Sequence, residues 1–167
     1  MIITNAGNAG HFVYRSTAIG PNEALRRLND GDGDFHQWTY IIEGIATYTV
    51  KDSDGNVLES DSSNREGQLV DHSSSKGKYQ YITTEERGLS TISFNPIPMS
   101  RNLSVEILKE GSYTITTTDT RKTIVGITGE VFANDKKINN SNHAKVLPNK
   151  SVTLVVPTNS ICAIVAG

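Results

Sequence analysis

The chain of 167 residues sets 16 Lys and Arg against 18 Asp and Glu, a formal net charge of −2, and 36% of its residues are apolar. That balance suits a globular chain with one sizeable core or two small fused ones, and it lacks the clustered basic surface that nucleic acid requires. No apolar run approaches the roughly 20 residues of a membrane-crossing helix, and the opening "MIITNAGNAG" has neither the basic nor the apolar region of a secretory leader. No nucleic-acid or membrane partner is therefore expected.

In chain order the signals are those of strands: Ile, Val, Thr and Tyr in short runs, punctuated by Gly, Asn, Asp and Ser. The first is "HFVYRST". "PNEALRRLND" follows, the one stretch that reads either as a helical turn, with Pro21 at its start, or as a strand. Next come "WTYIIEG", "IATYTVKD", "NVLESD", "GQLVDH", "YQYITT" and "LSTISFNP". Between two of them "DSDGN" places Asp-Gly where a hairpin tip needs positive φ.

"FNPIPMSRN", residues 94–102, has two prolines in three residues and reads as a joint between strand-rich halves. Beyond it lie "LSVEILK", "SYTITTT", "KTIVGITG", "EVFAND", "HAKVL", "SVTLVVP" and "SICAIVAG", with Asn134-Asp135 as a second turn signal. Many short strands with regular turns predict an all-β barrel or sandwich. The single cysteine, Cys162, lies in an apolar strand pattern and is expected to be a buried, unreactive thiol. A reducing compartment fits it, so the chain is expected in the cytoplasm or in a virus particle assembled there.

"YIIEGIATYT" around Gly44 and "IVGITGEVFA" around Gly129 echo one another as strand, glycine, hairpin strand. "YIIEG" is similar to the "YVLEG" strand end of the cupin jelly-roll barrels, and "VLPNKSVTLVVPTNSICAI" to the cupin run ending in "VPxxxxHxI". Together these stretches resemble the cupin superfamily over most of the chain. The resemblance implies an all-β, cupin-type jelly roll of two short β-barrels fused in tandem as a bicupin. Residues 1–98 would form the first barrel and 99–167 the second, with Gly44 and Gly129 at equivalent strand ends.

Cupins hold a metal with two histidines and a glutamate from the first motif and a histidine from the second. Carried onto this sequence, those positions are Asp30, Asp32, Gln37 and Gln80, with Gly77 as the turn glycine of the second motif. A one-residue slip brings in His36 alone. In the second half the corresponding places fall at Lys122 and at Ser160 and Ile161. A transition metal needs three or more converging N, O or S ligands, so the resemblance implies that the metal is lost and no cofactor is expected.

Asp30, Asp32 and Asp34 alternate like a calcium loop, but Phe35 and Ile41 stand where an EF-hand requires Gly and Glu, which leaves a solvated acidic loop. His36, His72 and His143 have no paired metal-ligand spacing. Asp34 and His36 could share a strand face as an acid–base pair; no nucleophile elbow, P-loop or dinucleotide fingerprint accompanies them.

Alternation divides "FHQWTYIIEG" into two faces. The register implied by the resemblance turns Gln37, Thr39 and Ile41 inward and His36, Trp38 and Tyr40 outward. The opposite register lines a barrel mouth with His, Trp and Tyr. His36, Gln37, Trp38, Tyr40 and Gln80 are thus the candidate ligand-binding residues. Trp38 and Tyr40 could equally pack between the halves or against a second subunit, and a homodimer is expected.

The sequence supports a metal-free barrel that binds a small polar molecule or carbohydrate, without a catalytic signature. A structural or virion assembly protein and a cupin-type isomerase or other small-molecule enzyme are the alternatives.

Overall fold

The computed structural model describes residues 2–140 and 142–167, leaving aside the side chains at 3–5, 61 and 62. Its strands are β1 (Ile2–Asn8), β2 (Phe12–Ile19), β3 (Ala24–Leu28), β4 (Trp38–Lys51), β5 (Val57–Arg65), β6 (Leu69–Asp71), β7 (Tyr79–Pro96), β8 (Ser104–Leu108), β9 (Gly111–Thr116), β10 (Lys122–Thr128), β11 (Val131–Ala133), β12 (Lys136–Ile138), β13 (His143–Val146), β14 (Ser151–Val156) and β15 (Ile161–Ala166). One 3₁₀ turn, Ser73–Ser75, interrupts them. The chain divides into two compact units, Met1–Arg101 and Asn102–Gly167, and the division falls within "FNPIPMSRN".

The N-terminal unit is a single seven-stranded sheet in the order β1-β2-β7-β4-β5, with β3 also paired to β7 and β6 to β4. Its spine is the pair β4 and β7, and here the structure corrects the expected elements. "WTYIIEG" and "IATYTVKD" are one strand, and so are "YQYITT" and "LSTISFNP". Gly44 therefore does not end a strand as expected; it sits inside β4 at a corner.

The register jumps there from Gly44↔Leu89 to Ala46↔Thr84, with another shift between Ile41 and Glu43. Gly44 and Gly88 both have positive φ, 92° and 71°, and a Cβ on Gly44 would run into the Gly88 carbonyl. Only glycine allows this approach. The bulges bend both long strands and curl the sheet over a core of Ile19, Ile41, Ala46, Tyr48, Ile82 and Leu89.

The ambiguous stretch "PNEALRRLND" holds the strand β3, not a helical turn. Asn22 at φ 55° turns the chain, and five residues then pair with β7 from Ala24↔Thr83 to Leu28↔Tyr79. Alternation serves both faces: Leu25 packs on the core, while Arg26 lies over the Tyr79 ring at 4.3 Å. Strands β1 and β12 had no counterpart in the sequence reading; β1 begins in the small, polar "MIITNAGNAG", and β12 has three residues.

The C-terminal unit has two four-stranded sheets, β13-β10-β15-β8 and β12-β11-β14-β9. Leu108, Ile124, Val146 and Ile164 from the first meet Ile115, Val131, Leu154 and Val156 from the second, so its interior is filled by aliphatic side chains. Gly129, at φ 68°, follows β10 in the turn to β11, and Asn134-Asp135 carry the positive φ of the next turn, 45° and 64°. Cys162 is fully buried in that core, and burial pushes its thiol up to about 12.

Candidate functional site

The interior face of the N-terminal sheet is laid out in cross-strand rows. Directly opposed residues of an antiparallel pair point to the same face. Val50 on β4 opposes Glu59 on β5 and Gln80 on β7, and Gln80 opposes Arg27 on β3. The row Glu59–Val50–Gln80–Arg27 thus crosses four strands with an acid at one end and a cation at the other. One step deeper, Tyr48 opposes Ile82 and Ile82 opposes Leu25, the start of the apolar core. The polar row is the lid of that core.

Arg27 organises the polar groups into a directional chain. Its Nε–H donates to Gln80 Oε1 at 2.7 Å, which fixes the amide orientation. Gln80 Nε2 then donates to His72 Nδ1 at 2.9 Å. His72 must carry its proton on Nε2, which donates to Thr39 Oγ1 at 3.0 Å. Thr39 Oγ1 and Ser93 Oγ share a further hydrogen bond at 2.8 Å. On the other side Arg27 Nη1 donates to His36 Nδ1 at 2.7 Å. From Arg27 to Thr39, and from Arg27 to His36, each donor points away from the guanidinium, the arrangement in which successive dipoles reinforce one another.

Burial holds the His36 and His72 rings well below the ordinary imidazole range, and the charge of Arg27 adds to it. Both are therefore neutral at pH 7. Burial pushes Arg27 itself down to about 10, still a cation at neutral pH. Among the described residues it forms no ion pair, and its Nη2 is buried without a hydrogen-bond partner.

A cavity of about 340 Å³ opens against this wall. Tyr48, His72 and Gln80 line it together with Val50 and Val70, while Glu59, Asp71 and Ser74 bring carboxylates and a hydroxyl. Tyr48 meets His72 edge-on, ring centroids 4.6 Å apart. A half-apolar hollow with a few oriented donors and acceptors is the usual composition of a small-molecule site.

No family model matches the sequence, and no curated protein matches it. Solved structures do. The chain is similar to the YhaK protein of Escherichia coli, with a TM-score of 0.65 and 14% identity over 99% of this chain and 92% of that one. It is similar to a cupin 2 conserved barrel domain protein of Leptotrichia buccalis, with a TM-score of 0.57 and 9% identity over 99% and 88% of the two chains. An oxalate decarboxylase of Lactobacillus farciminis, in a formate complex, matches with a TM-score of 0.66 and 10% identity over 98% and 80%.

The fold is that of the cupins.

The residues at the cupin metal positions do not fit a metal. Asp30 and Asp32 are exposed, and the Asp32 carboxylate accepts the Met99 backbone N–H. Gln80 is buried, but its oxygen is held by Arg27 and its nitrogen by His72. Both nitrogens of His72 are engaged, and the positive charge of Arg27, bonded to Gln80, would repel a dication there. Among the described residues no three His, Cys, Asp or Glu gather as a ligand set.

The five candidate residues separate. His36 and Gln80 join the network around Arg27, and Gln80 lines the cavity. Gln37 is buried, with its backbone bonded to Phe94 and His72. Trp38 and Tyr40 oppose Phe94 and Ile92, whereas Thr39 between them belongs to the network. The aromatic pair therefore occupies the other face and does not line the cavity. His36 departs from the alternation expected for it because it precedes β4, in irregular chain. Asp34 lies 3.8 Å from Arg15, while His36 bonds Arg27, so the two do not form the acid–base pair considered above.

Arg27, Tyr48, Thr39 and Ser93 were missed as site residues, and His72 was weighed only as a metal ligand. Arg27 had a usable signal: if "ALRRL" is a strand, alternation must turn one of its two arginines inward.

Proposed function

We propose that the N-terminal barrel is a metal-free cupin-type module that binds a small polar molecule in the cavity against Tyr48, His72 and Gln80. The observation that carries this reading is the network behind the cavity wall. A half-buried cation, Arg27, holds Gln80 in one orientation and His72 through it, which preorganises the wall without any ligand present. The C-terminal unit packs aliphatic side chains between its two sheets and, among the described residues, has no comparable row of buried polar groups, which favours the N-terminal barrel. The likeness in fold to an oxalate decarboxylase in complex with formate supports a small polar ligand as the class. We read the site as one for binding rather than turnover, since His72 has its two nitrogens engaged by Gln80 and Thr39.

Ser74 also lines the cavity, is exposed and turns its hydroxyl to Glu59, so Ser74→Trp can fill the cavity with little risk to the fold. In a ligand-observed NMR screen of sugars, polyols, carboxylates, amines and amino acids, at least one class should bind the native protein and not Ser74→Trp. Absence of any binder, or binding that survives the filled cavity, contradicts the proposal.

A further inference from the structure

One edge of the C-terminal sandwich is not filled as its centre is. Where β13 ends one sheet and β12 the other, a cavity of about 240 Å³ lies between the inner faces. The void has a cause in the sequence. Ala144 opposes Ile124 and Ala133 opposes Leu154, so two alanines stand where most of the surrounding core carries Ile, Leu or Val. Ala144 and Val152 pack on that core yet stay only half-buried. With Ile124, Ala133 and Val146 they give the cavity an apolar floor.

Lysines form its rim. Lys136 opposes Ala133, and opposed residues share a face, so its stem rises from the core side of β12. Lys145 follows Ala144 on the edge strand and lines the opening as well. Asn134 completes the lining, its Oδ1 accepting the Thr153 N–H at 2.9 Å. Among the described residues neither lysine is in an ion pair, and no carboxylate lines the cavity. Glu130 is drawn to Lys137 at 3.6 Å, and Asp135 lines a separate hollow with Phe132 and Thr153.

We propose that this cavity is a second ligand site, independent of the N-terminal one, for a small amphiphilic carboxylate. The apolar body lies on the floor and the carboxylate points toward Lys136 and Lys145. The body gains by leaving water, and two ammonium groups without a counter-charge select the sign of the head. An apolar cavity of about 150 Å³ is enough for benzene, so this one takes a body of about six to nine carbons. A long acyl chain is too large, an amine meets like charge, and an alcohol of the same body gains only the floor.

The test is an NMR titration of methyl-labelled protein with hexanoate and phenylpropionate, beside hexanol, phenylpropanol and hexylamine. At least one acid should bind tenfold more tightly than the alcohol of the same body and than hexylamine. Its shifts should fall on the Ile124, Ala133, Ala144 and Val152 methyls. Lys136→Gln with Lys145→Gln changes two exposed residues, so the fold is kept, and it should erase the advantage over the alcohol. Ala144→Phe fills the void from a half-buried position and should abolish binding; if it does not fold, the shifts and the lysine variant decide. Ser74→Trp, which fills the N-terminal cavity, should change nothing. Equal affinity for acid and alcohol, a preference unchanged in the lysine variant, binding that survives Ala144→Phe, or binding lost in Ser74→Trp each overturns the proposal. So does the absence of binding by all five compounds, whatever the N-terminal cavity holds.

Discussion

At the scale of single residues, Gln80 is the joint of the interior. Its two ends satisfy Arg27 and His72 at once. Gln80→Ala strands a buried donor and a buried acceptor, and should cost about 2–4 kcal/mol of stability by urea denaturation. Gln80→Glu keeps an acceptor for Arg27 but offers His72 a carboxylate, and should bring the His72 ring back into a range where NMR sees it titrate. An alanine variant within about 0.5 kcal/mol of native would mean the network is not formed.

The two neutral histidines also set a pH dependence. Their folded values lie well below 6.5, so as pH falls through that value the unfolded chain takes up protons that the folded network refuses. Stability is then full above about pH 7 and declines below 6.5, approaching about 1.4 kcal/mol per histidine per pH unit. Melting curves between pH 8 and 5.5 should show this limb, and the double variant His36→Gln, His72→Gln should flatten it. Much of this was hidden in the sequence, because the chain partners are far apart: Gln80 is 53 residues from Arg27, and Thr39 is 33 from His72. Cys162 was legible, since its apolar strand setting alone specifies a buried thiol.

At the scale of elements, strands were legible wherever period-two alternation met a turn signal, as at Asp52–Asn56. There Gly55 takes φ 85° and Asp52 Oδ1 accepts the Asn56 N–H. The corner at Gly44 and Gly88 was not, because a glycine that ends a strand and one that bends it look alike until the partner backbone is in place. The two roles differ in what they tolerate. A methyl group at Gly55 would meet open space, so Gly55→Ala carries only the left-handed backbone penalty, about 1–2 kcal/mol. At Gly44 the same penalty is joined by collision with the Gly88 carbonyl, and Gly44→Ala should cost clearly more. Equal midpoints in urea for the two variants would show that the corner can relax. β3 was open between helix and strand because "ALRRL" is short; its pairing with β7 decided it, tertiary context overriding a weak local preference.

At the scale of the whole molecule, the cupin fold was readable from the order of strands and turns, although Gly44 proved to be a corner inside β4 and not a strand end. A homodimer remains the expected assembly, with an interface of roughly 800 Å² per subunit. Tyr40 is only 2% exposed in a single chain, so Trp38, half-buried, is the aromatic available to such a contact. Sedimentation equilibrium should give twice the chain mass of 18.2 kDa, weakened by Trp38→Ala; a single species at the chain mass contradicts the dimer.

The central claim is that the polar interior of the N-terminal barrel is organised by a half-buried arginine, Arg27, and holds no metal. A titration of isotope-labelled protein with Mn²⁺, followed through the Arg27 Nε–H, the Gln80 side-chain amide and the His72 ring, tests it most directly. Held by the chain from Arg27 to Ser93, these signals should be sharp before addition and stay unbroadened at one equivalent of the paramagnetic ion. Selective loss of the Gln80 and His72 signals at that point would place a metal in the barrel and contradict the claim.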